Sequence, residues 1–493
     1  MTPLDWAVIA AYALLLVGLG WWSARGYDTA ASHLRADRSL PAWAVVFSVL
    51  ATEVSAATYV SVPAAAYSGQ WSYLQYAFGN LVGKIVLATL FIQLYWRLDL
   101  SSAYGFLGRR VGRASQRAAA WAFLGGRLIA SGVRLYIAAL ALSAAAGFSI
   151  PLAVILIALV STVYTWMGGL RAVVATDVAQ GAVFMIGAAT ALVVGLAAID
   201  APLSELAREV MQADKTQVFF WNAGGEAGWW QSTRPFPMAV LGGFALVLAT
   251  HGTDQENVQN LLNTKSARSS VRSLVASGLA TFPIVALFLS VGTMLWLYHR
   301  HVAVTAYDPV QDAQRIFPLF IVHALPDGIR GLVFAGLFAA AVVGATLNAM
   351  TTIWIGDIRG RASLDVSRTE ARVLNAVFGV LLALVGLFFW RWTAGTRENL
   401  IEVALNAMTI LYGGLLGGFL CGLVYTRRGS DSSVAWGMAA GAVVGAAAFF
   451  QRQLLGIPAG EPKVLEWPIT MPVSVLVAMA VGAMGRRGTA AGG

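Results

Sequence analysis

Apolar residues fall in many separate runs of membrane-spanning length, divided by short polar intervals that carry most of the arginines, rather than at amphipathic spacing. Windows of roughly 20 apolar residues recur at 5–23, 42–66, 72–96, 117–146, 150–168, 174–199, 235–252, 272–297, 329–356, 371–391, 400–425, 433–450 and 467–485. That pattern predicts an all-α polytopic membrane protein with about thirteen transmembrane helices. The first window lacks a basic leader and ends in aromatics, so it reads as a retained helix rather than a cleaved signal. With the N-terminus outside, the loops holding Arg25, Arg35 and Arg38, Arg97 to Arg117, Arg171, Lys265 and Arg268, Arg359 to Arg372, Arg427 and Arg428 all face the cytoplasm, as does the C-terminus at Arg486 and Arg487. The acidic, tryptophan-bearing segment 200–234 then lies outside. The expectation is one multi-pass domain, 1–493, in the plasma (inner) membrane.

Composition agrees and narrows the class. Of 493 residues, 58% are hydrophobic and only 12% charged. The single cysteine, Cys421, lies in an apolar run, which excludes an intrachain disulfide and a cysteine-rich metal site. The net charge of +9 belongs to short loops between spans, where orientation accounts for it without a nucleic-acid partner.

The second window, AWAVVFSVLATEVSAATYVSVPAAAYSGQ, turns polar in its middle at Thr52, Glu53, Ser55 and Thr58. A carboxylate at mid-bilayer costs about 2.5 to 3.5 kcal/mol on insertion scales, so it is retained where it faces a cavity, a partner or an ion. Small residues and hydroxyls between Ala51 and Thr58 suit a helix interrupted at mid-membrane, whose freed carbonyls coordinate a cation and whose half-helix ends face a substrate. The alternative is a continuous helix in which Ser and Thr bond back to their own carbonyls.

Arg127 and Arg134, seven residues apart, share one face of the fourth span. A buried guanidinium needs an anion: Glu53 as a structural partner, or a substrate carboxylate taken in bidentate geometry. Lining a water-filled vestibule is a third reading. Gln75 and Tyr76 in the third span, and Glu402 and Asn406 one turn apart in the eleventh, are further substrate-side candidates, with Glu402 better placed at the outer interface. Lys84 reads as a snorkelling or carbonyl-bonded lysine. His251, Asp254 and Glu256 resemble metal ligands by type but sit in a loop that reads as a helix cap, and Trp221, Trp229 and Trp230 read as an interface belt.

Several segments together resemble the sodium:solute symporter family: VYTWMGGLRAVVATDVAQG at 163–181, HGTDQENVQNLL at 251–262 with Asn260 where an arginine is common, GLVFAGLFAAAVVGATLNAMTTIWIGDI at 331–358, YGGLLGGFLCGL at 412–423, and SGQWSYLQYAFGN at 68–80. The resemblance implies a leucine-transporter-type core of two five-helix inverted repeats, 42–199 and 235–425, each opening on a broken helix, with 5–23 and 433–485 peripheral. It also implies a sodium site of backbone carbonyls at Ala51 and Val54 plus two adjacent hydroxyl residues on the helix at 329–356. Those hydroxyls are missing here. The aligned positions are Ala341 and Val342, or Val343 and Gly344, and Thr346 is the nearest hydroxyl. Sodium prefers hard oxygen ligands, so the usual site loses two of them. Asp177, in ATDVAQ, matches a family acid associated with cation coupling, or else caps a helix start. Glu53 has three candidate roles: sodium ligand, proton carrier, or partner of Arg134.

These readings converge on a non-enzymatic symporter that imports a small polar solute by alternating access, carboxylate-bearing if Arg127 and Arg134 meet the substrate and neutral if Arg134 pairs with Glu53. Sodium is the expected coupling ion, no other cofactor is expected, and the solute and the bilayer are the only partners. A proton-coupled or uncoupled transporter with Glu53 in place of the sodium site is the alternative. A transporter-like sensor acting through a separate chain is another, although no signalling domain follows Arg487. An intramembrane enzyme is disfavoured by the absence of HExxH or GxSxG patterns.

Overall fold

The computed structural model describes residues 1–23, 40–54, 56–98, 100, 102–224, 228–308, 313–341, 344–360, 367–393, 400–458 and 461–486. Arg25, Arg35, Arg38, Ser55, Val342, Val343, Arg361 and Arg487 lie outside the described residues, as do the side chains of Arg171, Ala341, Arg368 and Glu402. The helices are α1 (Pro3–Ser23), α2 (Ala42–Glu53), α3 (Ala56–Ser68), α4 (Gln75–Leu87), α5 (Arg113–Ala146), α6 (Ile150–Ala197), α7 (Leu203–Gln212), α8 (Phe236–Gly252), α9 (Gln255–Leu262), α10 (Ala267–His301), α11 (Ile316–Ala324), α12 (Ile329–Ala341), α13 (Gly344–Ile353), α14 (Arg368–Thr393), α15 (Leu400–Val424), α16 (Asp431–Phe449) and α17 (Trp467–Gly482). α4 is prolonged to Arg97 through a π-helical turn at Ala88–Ile92.

Among the described residues, seven helices are long and apolar enough to cross a membrane, and nine if each of two bent pairs counts as one span. Four shorter apolar helices accompany them. The bent pairs, α2–α3 at 60° and α8–α9 at 65°, fall where the sequence places a polar interruption and the HGTDQ motif. At the first bend Val54 is extended (φ −84°, ψ 98°), and its N–H closes the last turn of α2 on the Leu50 carbonyl at 2.7 Å. At the second, Asp254 is the N-cap of α9 and its carboxylate accepts from the Glu256 N–H at 2.9 Å.

Two spans, 150–168 and 174–199, are expected where the backbone is helical without interruption from Ile150 to Ala197. A glycine in a helix interior costs only about 1 kcal/mol and no proline intervenes, so Gly168 and Gly169 do not force the expected turn. Helix pairing relies on small residues. A Cβ on Gly79 would lie 2.0 Å from the Val240 carbonyl oxygen, and one on Gly243 would lie 2.4 Å from that of Tyr76, so α4 and α8 pack backbone to backbone. α2 packs on α6 and α10, α3 on α10, and α5 on α14 and α15, while α15, α16 and α17 pack on one another and against α5 and α8. This arrangement brings the two bends to face α5, α4 and α10.

Candidate functional site

Each bend carries charge. Glu53 ends α2, and its Oε1 lies 2.5 Å from Lys84 Nζ on α4 and 2.6 Å from His251 Nε2 in the last turn of α8. Thr281 of α10 donates to Glu53 Oε2 at 3.2 Å, and Lys84 donates to Ser277 Oγ at 2.9 Å. His251 Nδ1 meets Thr250 Oγ1 at 3.0 Å. The lysine is fully buried and the Glu53 side chain 12% exposed. Two charges in such surroundings lose hydration worth several kcal/mol apiece, which only close pairing offsets.

The second bend is tied to α5. Arg127 Nη2 lies 2.5 Å from Glu256 Oε2, and its Nε lies 3.3 Å from Asp254 Oδ2. Tyr412 of α15 donates to Asp254 Oδ2, Thr346 of α13 donates to Glu256 Oε2 at 2.7 Å, and Ser131 Oγ stands 3.4 Å from Thr346 Oγ1. Two turns further along α5, Arg134 Nη1 donates to the Thr52 carbonyl at 3.2 Å. Among the described residues no carboxylate lies within ion-pair distance of Arg134, and its side chain is only half-buried.

Several sequence readings change accordingly. Glu53 is not the partner of Arg134; Lys84 and His251, 31 and 198 positions along the chain, hold it instead. Lys84 does not snorkel, because Glu53 and Ser277 occupy its ammonium inside the bundle. Asp254 is a cap, as its loop suggests, but His251 contacts the Glu53 carboxylate and Glu256 pairs with Arg127. Asp177 is not a helix cap: it lies inside α6 and accepts from Ser48 Oγ of α2 at 2.6 Å, and Asn260 Nδ2 donates to the same hydroxyl at 3.1 Å. Thr346 spends its hydroxyl on Glu256.

Other predicted residues divide. Thr52 bonds its own hydroxyl back to the Ser48 carbonyl at 2.9 Å while its carbonyl serves Arg134. Ala51 and Val54 bracket the end of α2, and Thr58 is buried on α3. Gln75 stands away from both bends. Its amide donates to the Arg234 carbonyl at 2.9 Å and its carbonyl accepts from the Phe220 N–H at 3.1 Å, so it pins the 213–235 segment. Tyr76 stacks on Trp467 and donates to the Thr233 carbonyl at 3.3 Å. Asn406 is buried on α15. Trp221, Trp229 and Trp230 are exposed. Sequence reasoning missed Ser48, Ser131, Ser277, Thr281 and Tyr412. The four-residue spacing of Ser277 and Thr281 in an apolar span was a legible sign of a shared polar face.

A family model described as the sodium:solute symporter family matches residues 33–441. The chain is 28% identical over 442 residues to the sodium/sialic acid symporter SiaT of Proteus mirabilis, covering 87% of this chain and 86% of that one. It is 27% identical over 465 residues to the sodium-dependent multivitamin transporter of Oryctolagus cuniculus, covering 89% and 69%. Among solved structures, a Na+-coupled sialic acid symporter in a substrate-bound outward-open state superposes with a TM-score of 0.83 at 23% identity, covering 99% of both chains. Mhp1, a nucleobase-cation-symport-1 family transporter, superposes with a TM-score of 0.56 at 16% identity, covering 93% and 94%. These two likenesses carry the fold, a leucine-transporter-type helical core whose repeats begin on broken helices.

Proposed function

Because the chain belongs to the sodium:solute symporter family, we propose that it is a sodium-coupled secondary transporter importing a small, polar, carboxylate-bearing solute, with Arg134 as the carboxylate ligand. The observation that carries the reading is the distribution of charge at the two bends. Glu53 answers Lys84 and His251, Asp254 and Glu256 answer Arg127, and among the described residues Arg134 has only the Thr52 carbonyl. A half-buried guanidinium with spare donors suits a planar carboxylate, which it binds in a fixed, bidentate geometry. Sialic acid is the first candidate, since it is an acid and two of the similar proteins are named for it.

The coupling-ion reading rests on family membership and on the carbonyls at Ala51 and Val54, where α2 ends and peptide oxygens leave helical bonding. Asp177, held by Ser48 of the same helix, adds an anionic oxygen on the α6 side. The bends α2–α3 and α8–α9 support 42–199 and 235–425 as the two repeats, and the arginine-rich loops support the N-out, C-in orientation.

Uptake of labelled sialic acid and other small carboxylates into proteoliposomes, with sodium and pH gradients varied independently, tests both halves. Uptake is expected to need inward sodium. Arg134→Gln should weaken it by roughly 10- to 100-fold, the value of a hydrogen-bonded charge, with partial recovery in Arg134→Lys. Undiminished uptake in Arg134→Gln sinks the ligand assignment, and full uptake on a pH gradient alone sinks sodium coupling.

A further inference from the structure

A second cationic feature lies outside the two charge clusters, where the end of α4 meets the start of α10. The end of α4 (Gln93, Trp96, Arg97) and the start of α10 (Ala267, Arg268, Val271) enclose a cavity of about 520 Å³. Among the described residues, its charged lining is the two arginines. Both are exposed, and among the described residues neither meets a carboxylate or a hydrogen-bond acceptor. Trp96 forms a fixed wall, because its indole N–H donates to Ser270 Oγ at 2.9 Å. The start of α10 adds the positive end of a 35-residue helix to the same corner.

Exposed leucines follow along the same two helices. Two turns back from Arg97 on α4, Leu90 is 49% exposed, and three turns on from Arg268 on α10, Leu279 is 56% exposed. A cationic cavity larger than a free phosphate, with exposed leucines further along both of its helices, has the chemistry of a lipid and not of a free ion: guanidinium for the headgroup phosphate, indole at the glycerol level, and leucine beside the acyl chains.

We propose that the α4–α10 corner is a binding site for an anionic phospholipid, its headgroup phosphate held between Arg97 and Arg268 and its chains laid along Leu90 and Leu279. Free phosphate shares the head chemistry but gains nothing from the leucines. The site is independent of the transport assignment, since none of its residues takes part in the bends.

The test uses the full chain in detergent micelles and in phosphatidylcholine nanodiscs with and without phosphatidylglycerol. Retained lipid is counted by native mass spectrometry and the unfolding temperature is followed by tryptophan fluorescence. Arg97→Gln/Arg268→Gln should retain phosphatidylglycerol roughly thirtyfold less well, from about one charge contact per arginine, and should lose the lipid-dependent rise in unfolding temperature. Arg427→Gln/Arg428→Gln, which removes the same charge elsewhere, should behave as wild type. The proposal is overturned if the first variant keeps the lipid response, if the control loses as much, or if inorganic phosphate stabilises the protein as well as the lipid does. Should the double variant fail to fold, a photoactivatable phosphatidylglycerol on the unaltered protein decides: labelling within 90–97 and 267–279 supports the site, and labelling confined elsewhere overturns it.

Discussion

Removing the Glu53 carboxylate should destabilise the protein more than removing it together with its lysine. Glu53→Gln leaves Lys84, fully buried, with Ser277 alone as a partner. At the observed 2.5 Å separation and an effective dielectric near 20, the lost attraction is about 7 kcal/mol before desolvation is counted. Breaking one side of a buried pair costs about 3–5 kcal/mol net, because the stranded charge still pays for its dehydration. In Glu53→Gln/Lys84→Met no charge is stranded, and the loss shrinks to the packing and hydrogen-bond differences, so the two single effects should overshoot the double by about 1–3 kcal/mol. Thermal unfolding of the purified protein in one detergent, with and without sodium, measures the cycle. The expected order of unfolding temperature is wild type, then the double variant, then Glu53→Gln. A double variant no more stable than Glu53→Gln refutes the pairing argument. If the loss in Glu53→Gln then also vanished when sodium was withdrawn, Glu53 would be acting as an ion ligand instead.

Two smaller outcomes follow from the segment 213–235 and the residues that pin it. Gln75→Ala should lower the unfolding temperature by about 1–3 kcal/mol worth of lost backbone bonds, yet leave the solute affinity of the folded fraction unchanged; a selective rise in KM at full stability contradicts its anchoring role. Lys215 donates to the Tyr67 and Gly69 carbonyls at 2.9 and 2.6 Å, at the C-terminal end of α3, and burial pushes its ammonium down to about 8 from the usual 10.5. Its folded value lies below its unfolded one, so the unfolded chain holds more protons between those limits and stability rises with pH there. The stability of wild type relative to Lys215→Met should therefore increase from pH 8 to pH 10.5, measured by thermal unfolding at each pH; a flat difference removes the claim.

Much of the molecule is legible along the chain, for a physical reason. Backbone N–H and C=O groups have no partners in hydrocarbon, so each apolar window has to become a helix, and hydropathy alone announces it. The polar middle at Thr52 to Thr58 and the HGTDQ motif likewise announce the two bends, since an interruption inside the bilayer needs local polar or capping groups, as Asp254 supplies for α9. Family membership also follows from these segments, because their glycines, caps and acids are local requirements of that architecture. The run at 163–181 shows the limit: its GGL looks like a turn, yet the backbone stays helical, since glycine permits a break without compelling one.

Partnership was decided only in three dimensions. The sequence by itself determined that Glu53, Arg127 and Arg134 are costly charges in apolar spans that need a counterpart, while it read Lys84 as a snorkelling or carbonyl-bonded lysine and His251, Asp254 and Glu256 as part of a cap. It could not say which counterpart, because charge pairing depends on distance after helices from remote parts of the chain have packed. Arg134 and Glu53 are plausible partners on paper, but packing delivers Lys84 of α4 and His251 of α8 to the carboxylate and leaves Arg134 over the Thr52 carbonyl. The tertiary structure thus converted a list of buried charges into two closed clusters and one open guanidinium, and Coulomb attraction at a few ångströms in a poorly screened interior is what makes that distinction matter.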